Sequence, residues 1–186
     1  MRLPLFLSTL LLLSLSACSP PTKQEALDYY EKVRFEICDD ILIQLDEQQN
    51  ELKSYASESG KLIDGPTSEE HTVMLANYTK NLRDLKACLV ELEEIDVLGD
   101  EAEFLEAMKL YLYTRVRFEE EVVQKFITKL KGGMMPGETT FLSLFKGRMI
   151  ELIEQQENLV SAEDEFIEEF KITDEEFEEI YSKYYY

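Results

Sequence analysis

Four segments of about thirty residues, each with apolar side chains recurring at alternating steps of three and four, set the folding options of this 186-residue chain. Glycine and proline fall almost wholly between those segments, at Pro20-Pro21, Gly60, Gly65-Pro66, Gly99, Gly132-Gly133 and Pro136-Gly137, with Gly147 the exception inside one. No stretch alternates apolar and polar residues as a half-buried strand does. The pattern predicts an all-α protein.

Start signals agree with the breaks. Thr22 and Glu25, Thr67 and Glu70, Asp100 and Glu103, and Thr173 and Glu176 each have capping-box spacing, in which a side chain and a carboxylate three residues on satisfy free backbone N–H groups reciprocally. Thr139 is the expected cap of the remaining helix. The spacing predicts helices over about 23–58, 68–98, 101–131 and 140–171, with a short fifth over about 174–185. Near-equal helices joined by short loops are expected to pack as an antiparallel up-down-up-down four-helix bundle followed by the short C-terminal helix.

The N-terminus reads differently. Arg2 precedes a thirteen-residue, largely apolar stretch, Leu3 to Leu15, shorter than the ~20 residues that cross a bilayer, so it reads as a cleaved signal peptide. Leu15-Ser16-Ala17-Cys18 resembles a bacterial lipobox. The resemblance implies cleavage before Cys18, diacylglycerol on its sulfur and acylation of the new amine. Each buried CH₂ adds ~0.8 kcal/mol, so two or three chains anchor durably. The expected organisation is residues 1–17 as lipoprotein signal peptide, 18–22 as lipidated linker and 23–186 as helical-bundle domain. Ser19, where many retained lipoproteins carry Asp, points to the outer membrane.

With 39 acidic against 19 basic side chains the net charge is −20, and loss of Arg2 with the signal leaves it near −21. Such a chain lacks the clustered Lys and Arg that nucleic acid requires. It favours cationic or basic partners. A single histidine, His71, excludes multi-histidine metal sites and a confident catalytic triad, and it is expected to be exposed in the first turn of its helix. No P-loop, EF-hand, haem-attachment or nucleophile-elbow motif is present, so neither a catalytic residue, a metal nor a cofactor is expected.

Cys38 lies about twenty residues before the end of helix 1 and Cys88 about twenty after the start of helix 2, so an antiparallel hairpin places them within ~3 Å in height. A Cys38–Cys88 disulfide is expected in an oxidising compartment. Similar counting puts Asp84, Arg115 and Gln156 at one height, with Glu163 two turns nearer the membrane, as a buried polar layer. The loops at the end remote from Cys18 carry Leu62, Ile63, Met134 and Met135, which either plug the bundle end or form a partner-binding tip. Tyr181 and Tyr184-Tyr185-Tyr186 are expected to dock on the bundle base.

The chain thus resembles uncharacterised bacterial helical-bundle lipoproteins, a likeness carried by Ala26-Leu27-Asp28-Tyr29-Tyr30 and the matched helices that transfers no site residues. The expected function is that of a non-enzymatic, membrane-anchored envelope lipoprotein acting by protein contacts or as a structural element. The alternatives are an acidic inhibitor or immunity lipoprotein that neutralises a basic toxin or hydrolase, and a bundle that binds a small ligand.

Overall fold

The computed structural model describes residues 20–54, 66–99, 102–130 and 139–185. Among these the chain is all-α, a helical bundle with no β-strand. Helix α1 (Lys23–Glu31) passes through a π-helical turn (Lys32–Ile37) into α2 (Asp39–Ser54). After α3 (Ser68–Glu93), α4 (Glu103–Phe118) leads through a second π-helical turn (Glu119–Val123) into α5 (Gln124–Leu130). Helices α6 (Thr139–Glu169) and α7 (Asp174–Tyr185) complete it.

Three helix starts are fixed by reciprocal caps. The Thr22, Thr67 and Thr173 amides donate to Glu25, Glu70 and Glu176 at 2.7, 2.7 and 2.8 Å, and the three hydroxyls accept from the glutamate amides at 3.2–3.3 Å. Those amide bonds hold the Glu25 and Glu70 carboxyls below the ordinary range; for Glu176 the larger cause is Lys23. Elsewhere the expectations need correction. Helix α4 starts at Glu103 with Ala102 as an N-cap that makes no side-chain bond, and Asp100 lies outside the described residues. Thr139 is already the first residue of α6. Helix α3 stops at Glu93, five residues early, and the chain then turns through Gly99 at φ +62°.

Neither helix 1 nor helix 3 is the continuous α-helix that periodicity predicts. A π-turn takes one extra residue and rotates everything after it relative to a 3.6-residue repeat. Val33, Phe35 and Cys38 are therefore buried, while Ile37, placed on the core stripe by spacing, is only half-buried.

Helix α6 packs chiefly on α4, α3 on α4, and α2 on α3. Paired residues run in opposite chain directions: Cys38 meets Cys88 while Gln44 meets Lys80. Tyr113 meets Glu93 while Ile127 meets His71, and Phe104 meets Phe166 while Arg117 meets Glu151. One core runs through all of these helices.

Its densest part is aromatic. Tyr30 lies between Phe35, Phe104, Phe166 and Phe177 at centroid distances of 5.6–6.2 Å. Such ring pairs add about 0.5–1.5 kcal/mol each beyond area burial. Helix α7 covers this end. Tyr184 stacks on Phe35 at 5.2 Å, Lys183 pairs with Glu31 at 2.9 Å, and the Tyr185 hydroxyl donates to Asp39.

Candidate functional site

Three core stripes each carry polar residues at apolar positions: Leu45-Gln48-Leu52, Tyr78-Asn81-Leu85 and Leu112-Arg115-Glu119. The structure brings these polar residues together. Glu119, 0% exposed, accepts from Arg115 Nε at 3.1 Å and from Gln48 Nε2 at 3.0 Å. Asn81 Nδ2 donates to Gln48 Oε1 at 3.0 Å, and Arg115 Nη2 donates to the Leu45 carbonyl at 3.4 Å. The Gln49 amide, turned with its oxygen toward Arg115, accepts from Nη2 at 2.9 Å. Because Glu119 opens the second π-turn, its carbonyl also accepts from the Tyr78 hydroxyl, at 3.2 Å. Burial pushes the Glu119 carboxyl above its ordinary range, against the opposing pull of Arg115 and Gln48. A buried pair satisfied from three helices fixes their register.

Gln49 also belongs to a second feature. Helices α2 and α6 touch sparingly, and between them lies an apolar groove with a cavity of about 170 Å³. Gln49 and Leu52 form one wall, Phe118, Val122, Val123 and Phe126 the floor, and Phe145 and Met149 the other wall. The far wall continues along α6. Met149, Ile153 and Val160 share one helix side at four- and seven-residue spacing, and Ile153 and Val160 are 47% and 49% exposed. Asp46, three residues before Gln49 on α2, and Glu157, four residues after Ile153 on α6, are exposed.

The expected polar layer is largely elsewhere. Arg115 is buried as expected of it, but Asp84 is partly exposed and paired with Lys80 at 3.4 Å and Arg83 at 3.0 Å. Gln156 faces solvent. Glu163 is half-buried near the aromatic end, accepting from the Tyr30 hydroxyl and lying 3.5 Å from Arg34. Height along a bundle does not fix rotation about each helix axis, and the π-turns shift that rotation. The missed members, Gln48, Asn81 and Glu119, had a legible signal in their positions on otherwise apolar stripes.

His71, expected on the surface, is buried, with Nε2 donating to the Ile127 carbonyl at 2.9 Å. Cys38 and Cys88 are buried free thiols with sulfurs 3.6 Å apart. Cys18, Leu62, Ile63, Met134 and Met135 lie outside the described residues. Among the described residues there is no cluster of three or more His, Cys, Asp or Glu able to hold a metal ion, and no helix long and apolar enough to cross a membrane. No family model, curated protein or solved structure matches the chain.

Proposed function

We propose that this is a lipid-anchored protein of the bacterial envelope, held by Cys18 in the outer membrane, that acts without catalysis by capturing a basic amphipathic helix of a partner protein. In this reading the four long helical segments form an up-down-up-down bundle that α7 closes at its base. The groove between α2 and α6 lies toward the opposite end.

The observation that carries the reading is an apolar groove in a chain of net charge −20. An amphipathic helix docks its apolar face into such a groove through residues spaced i, i+3, i+4 and i+7. Opposite charge outside the groove speeds encounter and sets orientation. The cavity favours a side chain over a lipid: about 170 Å³ is close to the ~150 Å³ engineered cavity that takes up benzene. A Leu or Phe anchor fits that scale. Neutralisation of a basic toxin or hydrolase is the same chemistry with a named class of partner.

The test uses full-length lipidated protein in phosphatidylcholine nanodiscs, with empty nanodiscs as blank. The probe is a synthetic 14-residue Leu/Lys peptide patterned as an amphipathic helix, and its comparator has the same composition in an order that breaks the pattern. The expected result is preferential, salt-weakened binding of the patterned peptide, reduced at least tenfold by Phe145→Lys with Ile153→Lys. Equal binding of both peptides, unchanged in that variant, would mean charge attraction alone and overturn the groove.

A further inference from the structure

We infer that Cys38 and Cys88 are the halves of a disulfide whose closure fastens α3 to the π-turn on which the C-terminal helix docks. The sulfurs, 3.6 Å apart, need approach by only about 1.5 Å to reach bonding distance, within the range of side-chain rotation. Both side chains are buried against each other, and the Cys88 thiol donates to the Ile37 carbonyl at 3.0 Å, the last residue of the π-turn. Cys38 follows directly, its amide bonding back to the Phe35 carbonyl.

That location gives the bond its consequence. Apart from Lys23 on Glu176 and Tyr30 on Phe177, the contacts of α7 with helix 1 fall between Glu31 and Asp39: Lys183 and Tyr184 on Glu31, Tyr184 on Phe35, and Tyr185 on Asp39. Tying residue 38 to α3 holds this platform in place, with the carboxyl of Asp39 kept beside Arg34 at 3.4 Å.

Closure proceeds by exchange with an external disulfide, either a small molecule or an oxidant protein. One cysteine thiolate attacks the external disulfide, forming a mixed disulfide and releasing one thiolate. The second cysteine, deprotonated, attacks the first cysteine's sulfur in that mixed disulfide, forming the Cys38–Cys88 bond and expelling the external sulfur as the second thiolate. The two electrons reside in the reduced oxidant, which takes up the two protons. The neighbouring Cys88 thiol and burial both push the Cys38 thiol up, so exchange is slow in the folded interior and favours the folding chain. Only the supply of oxidant rests on the envelope location proposed above.

The full chain, purified from membranes in detergent, is unfolded in urea and refolded with oxidised glutathione, then alkylated without reductant and digested with trypsin. The expected product is peptide 35–53 joined to peptide 87–109, lost in Cys38→Ser and in Cys88→Ser. Alkylation of both thiols in refolded wild type would overturn the bond. A second arm quenches cells with acid before alkylation: the pair found open there but closed after refolding overturns the oxidising-compartment reading and leaves the pair standing. The coupling to α7 is read by tryptic cleavage after Lys171, which joins α6 to α7 and is exposed; it is expected to quicken severalfold on reduction. Equal cleavage rates would overturn the coupling.

Discussion

Replacing Arg115 by leucine removes the guanidinium that bonds Glu119 in the core. In the native fold the Glu119 carboxylate takes bonds from Arg115 Nε and Gln48 Nε2, and both ionic side chains are almost wholly enclosed. After Arg115→Leu only the amide remains, and a charge is left buried without its partner. Breaking a buried pair in this way costs about 3–5 kcal/mol. For a chain of this length that is a fall in Tm of roughly 6–20 °C. The loss also has a pH signature. The folded pKa of Glu119 lies above the ordinary value, because burial outweighs Arg115 and Gln48. Its proton therefore stabilises the fold: that contribution is complete below the unfolded pKa and disappears as pH rises through the folded value. Without Arg115 the folded value rises further, so the deficit of the variant is smallest near pH 5 and grows toward pH 8. Urea unfolding at the two pH values measures it, alongside Arg115→Leu with Glu119→Leu, which is expected to recover most of the loss. An equal deficit at both pH values, with no recovery in the double variant, would show that Arg115 acts by packing alone and refute the charge argument.

Gly147 sits on the exposed face of α6 with open space where a Cβ would be, so Gly147→Ala is expected to raise stability by about 0.5–1 kcal/mol in the same urea assay. Gly99→Ala is expected to lose at least about 1–2 kcal/mol, because the residue has φ +62° and the new methyl would lie 2.7 Å from Pro21 Cγ. The Tyr29 hydroxyl is buried without a hydrogen-bond partner among the described residues, so Tyr29→Phe is expected to be neutral or to stabilise by up to about 1 kcal/mol; a clear loss would reveal a partner.

The parts of the fold that were legible are those written in local chemistry. Thr22, Thr67 and Thr173 each cap the helix their spacing predicts, since a capping box depends on residues three apart and on nothing distant. The π-turns were not legible, because no local residue pattern encodes an extra residue; Phe35 is buried by α7, which lies far along the chain. The same blindness to rotation explains why Arg115 is where height-counting put it and Gln156 is not. Phe145 follows a faultless three-and-four stripe yet stays 36% exposed, because α2 and α6 do not close over it. A repeat in the sequence says which face is apolar, not whether a neighbour of the same chain covers it.

The tether at Cys18 is tested directly by the intact mass of the protein extracted from membranes. An anchored protein is a chain beginning at Cys18 with diacylglycerol on its sulfur and an acylated amine. An unmodified chain, or one retaining residues 1–17, would contradict the tether.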